Sequence, residues 1–253
     1  MNKRLKRVYV FITSSFIYLM YLPFAVAKTV VGNKLFLRPA DPISTSTVSS
    51  MPLMPDIKSA YDSLHLQLDG LSRQAYDFAK KGLEKLIAQG RIVNDSIISI
   101  VDFSQPSNMK RLYVLDIKNY KILFNTLVAH GKNSGRELAN SFSNEIRSFK
   151  SSPGFYITGE TYIGSHGYSL KLEGIEKGIN DNAYDRAIVM HGANYVNESL
   201  CAERGYIGRS EGCPAVPTSK ATPIISAIKN GSCLFVYTPT TYYLKNSSLL
   251  NQV

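Results

Sequence analysis

His191-Gly192-Ala193-Asn194-Tyr195 at one end and Gly208-Arg209-Ser210-Glu211-Gly212-Cys213-Pro214 at the other bound the stretch on which the reading of this chain turns. A thiol set between glycine and proline belongs on a tight turn, and a histidine stands 22 positions upstream of it. Those two residue types suffice for nucleophilic cysteine catalysis. Only the thiolate attacks, and a free cysteine with a pKa of about 8.5 is mostly protonated at neutral pH. An imidazole can take that proton and later return it to a leaving amine. Gly212 lets a substrate carbonyl come close to the backbone, which makes the amides of Gly212 and Cys213 candidate oxyanion donors. The spacing alone fits a buried, inert thiol equally well.

The surrounding residues narrow the choice. His-Gly followed by Ser-x-Gly-Cys resembles the signature of the L,D-transpeptidases, the YkuD-like cysteine enzymes that remodel bacterial murein. Ser152-Pro153-Gly154-Phe155-Tyr156 is similar to that family's Thr-Pro-x-Gly-x-Phe segment. Thr158-Gly159-Glu160-Thr161-Tyr162, His166-Gly167 and the run from Arg186 to Ala193 resemble one branch, the murein L,D-transpeptidase catalytic domain family. The resemblance extends over about residues 90 to 240. Two departures stand out. Glu211 occupies the place where the commoner pattern has a histidine, and Pro214-Ala215-Val216-Pro217 follows the cysteine where an arginine or asparagine is usual. Both fall on the substrate-binding rim, whereas Cys213 and His191 are kept.

The resemblance implies a peptidoglycan L,D-transpeptidase that uses Cys213 as nucleophile and His191 as base. It would form an acyl-enzyme on a tetrapeptide stem with release of D-alanine, then transfer the acyl group to an amine in a 3→3 cross-link. With water as acceptor the same residues give an L,D-carboxypeptidase. The rival of another class is a catalytically silent wall-binding protein, which loss of either reacting residue would have favoured. A papain-like endopeptidase places its cysteine before its histidine, the reverse of the order here. No cofactor is implied, and none of the four histidines has a neighbour at standard zinc spacing. Peptidoglycan stem peptides are the expected partners, and no basic-aromatic nucleic-acid motif competes with them.

Candidates for the substrate rim follow from chemistry and position. His166, in Gly164-Ser165-His166-Gly167, could reach the cleft from another strand and offset Glu211, or could simply shape its turn. Arg209 is the nearest permanent cation to Cys213 in sequence, and its fork of donors suits a carboxylate; a surface ion pair is the competing reading. Ser210, Gly192, Tyr162 and Asn194 complete the set. His130 reads more readily as the end of a strand, and His65 as a surface or packing residue.

The N-terminus carries Lys3-Arg4-Leu5-Lys6-Arg7, an apolar run from Val8 to Phe24, and Ala25-Val26-Ala27: the three parts of a secretory leader, residues 1–27. The alternative is an uncleaved anchor, since the run approaches the ~20 residues of a spanning helix; Thr13, Ser14, Ser15 and the small-residue exit favour cleavage, with no stable membrane insertion afterwards. Losing the leader removes four basic residues and lowers the net charge from +10 to +6. A basic, exported protein, periplasmic or wall-associated, suits an anionic polymer. That compartment is oxidising. With Cys213 kept as a thiol, Cys201 and Cys233 are the remaining pair, and the sequence does not bring them together. Nothing in it sets the oligomeric state.

Residues 28–55, rich in Pro, Ser and Thr, read as a flexible lead. From 56 to 90 the period is helical, with Leu71, Ala75, Phe78, Ala79, Leu83 and Leu86 on one face, Ser72 as cap and Gly90 as stop. A shorter helix is expected over 57–66. The catalytic region, 91–253, reads as strands at 97–103, 111–117, 122–128, 154–158, 169–172, 187–190 and 233–237, with a hairpin turn at Lys118-Asn119 and short helices at 136–139 and 223–229. The expected fold is mainly β: an L,D-transpeptidase-like β-sandwich or open barrel with an N-terminal helical layer and short peripheral helices.

Overall fold

The computed structural model describes residues 57–251; the leader at 1–27 and the lead at 28–55 lie outside them. Two helices open this region, α1 (Ile57–Ser63) and α2 (Arg73–Ala88). Ser72 caps α2 as expected, its Oγ accepting from the Ala75 N–H at 3.2 Å. The Ser72 N–H in turn donates to Asp102 Oδ2 at 3.0 Å, which fixes the helix entry to the sheet. Beyond the last turn Gly90 takes φ +67°, the left-handed conformation that releases the chain from the helix.

Eight strands follow: β1 (Ile97–Asp102), β2 (Leu112–Asp116), β3 (Lys121–Thr126), β4 (Gly154–Gly164), β5 (Gly167–Gly174), β6 (Val189–Ala193), β7 (Ala215–Pro217) and β8 (Cys233–Tyr237). Between and after them lie α3 (Glu198–Arg204), α4 (Thr218–Ile228), α5 (Thr241–Asn246) and α6 (Ser248–Asn251). The strands form one sheet in the order β3-β2-β1-β8-β4-β5-β6-β7. The pairs β1–β8 and β6–β7 are parallel and the rest antiparallel. The chain leaving β3 then meets the other edge. Ala129 N–H donates to Ala215 O (2.8 Å), Ser210 N–H to His130 O (2.9 Å) and Lys132 N–H to Ser210 O (2.7 Å), so the sheet nearly closes into a barrel.

Period-2 alternation divides the core between the two faces. Ile98, Ile100, Tyr113, Leu115, Phe155, Phe235 and Tyr237 pack outward against α2 through Ala75, Ala79, Leu83 and Leu86. Val101, Leu112, Val114, Tyr156, Leu234 and Val236 point inward and meet Ile224, Ile225 and Ile228 of α4. Burying a side chain such as Leu83 contributes about 2 kcal/mol, so the face presented by α2 is what holds the helical layer on. The fit is close at Gly82, where a Cβ would run into the Phe155 ring.

The expected fold class is the one observed, with local differences. No helix forms at 136–139, because the backbone there is committed elsewhere: Asn140 and Ser141 N–H both donate to Ser134 O, and Ser107 N–H to Glu137 O. Strand β4 runs six residues further than expected, to Gly164, across a register shift between Thr158 and Thr161. Helix α4 begins at Thr218 and carries Pro223 inside it. Strand β7 and helices α3, α5 and α6 have no counterpart in the expectation. No described helix is long and apolar enough to cross a membrane.

Candidate active site

Cys213 stands on the loop that leads from α3 into β7, half-buried. Ser210 stitches this loop: its Oγ donates to Cys213 O at 2.7 Å and accepts from the Gly212 N–H at 3.1 Å. From behind, Ser151 Oγ lies 3.3 Å from Gly212 O and accepts from the Gly131 N–H at 3.0 Å. Gly212 has φ +128°, and a Cβ on it would lie 2.8 Å from Lys150 O and 2.9 Å from Ile188 Cδ1. The turn before the thiol therefore requires glycine on grounds of conformation and of space.

Pairing of β6 with β7 sets the histidine beside this loop. His191 is opposite Ala215, two residues past the cysteine, and opposite Ser169 of β5 on its other side. The thiol reaches back to the start of the same strand and the residues just before it, with Sγ 3.5 Å from Val189 N and 3.6 Å from Ala187 O. No hydrogen bond joins Sγ to the imidazole. The imidazole is 2% exposed, and its Nδ1 lies 3.0 Å from Gly192 O. A carbonyl only accepts, so Nδ1 carries the hydrogen and Nε2 keeps its lone pair. The exposed His166, at the turn between β4 and β5, stacks on this ring at 4.2 Å between centroids and 19° between planes. Burial pushes the His191 pKa below its ordinary value of 6.5; the Gly192 carbonyl opposes the shift and the neighbouring His166 adds to it. His191 is accordingly neutral at pH 7 and able to accept a proton.

Burial also pushes the Cys213 thiol above its ordinary value, partly offset by the Val189 N–H and the charge of Arg186, while Glu211 adds to the rise. Glu211 is exposed and ion-paired with Lys132 at 2.8 Å. Arg186 is packed behind the loop, its Nη2 donating to Lys150 O at 2.5 Å and its Nη1 to Ser143 O at 2.8 Å and to Ser152 Oγ.

The L,D-transpeptidase catalytic domain model matches residues 67–237, more than half of the chain. The chain belongs to this family. Solved structures similar to it include an L,D-transpeptidase from Mycobacterium smegmatis, at 12% identity and TM-score 0.35 over 56% of this chain and 59% of that one. Another from Stackebrandtia nassauensis matches at 15% identity and TM-score 0.35 over 73% and 77%. The helical cell shape determining protein Pgp2 from Campylobacter jejuni matches at 12% and 0.38 over 58% and 49%. The chain spans 59% of the length of the first two structures it matches. No curated protein sequence matches it significantly.

Within this L,D-transpeptidase domain the remaining candidates divide. Tyr162 lines a cavity of about 290 Å³ with Lys171, Tyr184, Ala187, Ile188 and Val189. Ala187 and Val189 are also the partners of the thiol, so this cavity opens beside Cys213. Arg209 is not turned to the thiol: its Nη1 donates to Lys132 O (3.2 Å) and Gly135 O (3.0 Å), bracing the loop beyond β3. Arg186 is the cation that acts on Cys213 instead, and Lys132 is the one that offsets Glu211. Sequence distance concealed both, although Arg186 lies in the run leading to His191. A Cβ on Gly192 would lie 3.0 Å from Ala221 Cβ and 3.2 Å from Thr218 Cα, so this glycine admits α4 against β6. Asn194 accepts from Thr218 Oγ1 (2.9 Å) at the far end of β6.

Two other groups are structural. His130 is fully buried, with Nδ1 2.7 Å from Arg111 Nη2 and Nε2 3.2 Å from Gly135 O. Burial and the adjacent guanidinium lower its pKa to about 4, so it stays neutral as a brace. All three cysteines are free: Cys233 lies in the core facing α2, and Cys201 packs on a separate cluster with Val196 and Ile207.

Proposed function

We propose that this domain transfers the acyl group of a peptidoglycan tetrapeptide stem through Cys213. The observation that carries the reading is a half-buried thiol on a stitched turn, next to a strand that presents a neutral imidazole with its hydrogen fixed on Nδ1. The stem enters along the cavity beside Ala187 and Val189. As it does so the thiol turns from Ala187 O and gives its proton to His191 Nε2. The thiolate attacks the carbonyl carbon between the third stem residue and the terminal D-alanine. The developing oxyanion falls to the Cys213 N–H, because the Gly212 N–H is already donated to Ser210 Oγ.

His191 then delivers its proton to the nitrogen of D-alanine, the C–N bond breaks, and a thioester remains on Sγ. An amine of a second stem attacks the thioester, His191 takes the proton released, and the thiolate leaves as the 3→3 cross-link forms. Water in place of the amine makes the enzyme an L,D-carboxypeptidase. Export under direction of residues 1–27 belongs to the same reading, since the polymer lies outside the cytoplasm.

Incubation of the purified protein with disaccharide-tetrapeptide, followed by mass spectrometry of the products, tests this. Cross-linked dimer with loss of D-alanine is the expected result, and release of D-alanine alone identifies the carboxypeptidase. No product over time contradicts the proposal and leaves a silent wall-binding protein.

A further inference from the structure

A cavity of about 440 Å³ opens between the loop at 140–145, the turn at Gly178-Ile179 and the start of α5. It shares no lining residue with the cleft beside Cys213. Its size is within the range of small-molecule sites. Phe142 supplies a fixed aromatic surface, stacked on Phe103 at 6.2 Å and 22°, and Tyr242 supplies a second that is 66% exposed. The polar lining is made of amide, hydroxyl and carboxylate groups. The side chains of Asn140, Ser141, Glu145 and Thr240 make no hydrogen bond to other described residues. No lysine, arginine or histidine lines the cavity.

We propose that this cavity is a glycan subsite that takes a neutral N-acetylated sugar unit. The C–H face of a pyranose packs on an aromatic ring, while its hydroxyl and acetamido groups need both donors and acceptors, which this lining offers. The absence of a cation disfavours a phosphate or free carboxylate, and the polar groups disfavour a purely apolar ligand. The rim is tied to the catalytic turn. Ser143 O, Ser148 Oγ and Lys150 O all accept from Arg186. A Cβ at Gly212 would lie 3.2 Å from Arg186 Nη2. The glycan site and the nucleophile loop are thus held to one frame, as a substrate carrying both sugar and peptide requires. That last link rests on the function proposed above; binding of the sugar does not.

The test is a titration of the ¹⁵N-labelled full chain and of its Cys213→Ala variant with di-N-acetylchitobiose through the millimolar range, read by ¹⁵N–¹H correlation spectra. The proposal expects amide shifts at residues 140–145, 178–179 and 240–242 in both proteins. Tyr242→Ala and Asn140→Ala should each weaken binding about tenfold while the melting temperature stays that of the parent. Absence of shifts at those residues, shifts confined to other surfaces, or parental affinity in both variants overturns it. Absence of turnover on disaccharide-tetrapeptide by the parent chain, with sugar binding intact, refutes the catalytic reading alone.

Discussion

At the scale of single residues, His166 shows what the local sequence made legible and what it did not. Its place in a Gly-flanked turn suggested that it could reach the cleft. The partner it finds is the His191 ring, while Lys132 answers Glu211. Neither contact is readable from spacing, because each joins parts of the chain far apart in sequence that the fold brings together. His166→Ala removes both the cover over His191 and the electrostatic effect of the neighbouring ring on it. Each loss raises the His191 pKa toward 6.5. We predict that the acid limb of the acylation rate, below pH 6.5 in the parent, moves upward in this variant, and that the rate at neutral pH falls by roughly ten- to a hundredfold. A limb that stays in place would show that His166 only shapes its turn. Glu211→Gln has the opposite sign at the thiol: removing an anion lowers the Cys213 pKa. The pH midpoint for alkylation by iodoacetamide should then move to lower pH, by a modest amount because Lys132 already screens the charge.

At the scale of elements, the amphipathic helix and the long strands were readable because each carries its own signal. The stripe from Leu71 to Leu86 has a helical period, and runs such as Cys233 to Tyr237 are unbroken apolar text with aromatic and β-branched residues. Strand β7 is three residues between Pro214 and Thr218, too short for any period, yet it carries the register that sets His191 beside the Cys213 loop. The segment at 136–139 failed in the opposite sense, since good helix formers there are overridden by hydrogen bonds to Ser134 and Ser107. Loop stitching gives a prediction at this scale. Ser210→Ala loses two hydrogen bonds of the turn that carries Cys213 and should lower stability by about 1–2 kcal/mol in urea unfolding. Turnover should fall much further, because the Cys213 N–H is no longer aimed. Turnover that follows the folded fraction alone would show that the stitch has no catalytic consequence.

At the scale of the whole molecule, buried polar groups join distant parts of the chain in ways that no local pattern discloses. Arg111 is fully buried with no carboxylate hydrogen-bonded to it, and Asp102 acts on it through charge alone. Its guanidinium donates to Val128 O at 3.2 and 3.0 Å and to Gln105 O at 2.9 Å, and this braces the segment that closes the barrel. Glu176, also buried, accepts from Phe155 N–H at 2.9 Å, from Tyr243 OH at 3.2 Å and from Ser247 Oγ, and so docks α5 and α6 on β4. Glu176→Ala strands these donors and should cost about 3 kcal/mol of unfolding free energy. Burial raises the Glu176 pKa, so the folded chain keeps this proton to higher pH than the unfolded chain does. Stability from this group is therefore full below the ordinary carboxylate range and falls as pH rises above it. Glu176→Gln should remove that slope, and an unchanged slope in urea midpoints against pH would assign it to another group.

The claim on which the function rests is that Cys213, of the three free thiols, is the acyl acceptor. A strained β-lactam carbonyl imitates the stem amide, and a carbapenem offers one that leaves a mass label on the protein. Intact-mass spectrometry with peptide mapping after carbapenem treatment reads the answer directly. The account predicts a single adduct on the peptide that contains Cys213, and none on Cys213→Ala. An adduct mapped to Cys201 or Cys233, or one that persists in Cys213→Ala, would contradict it.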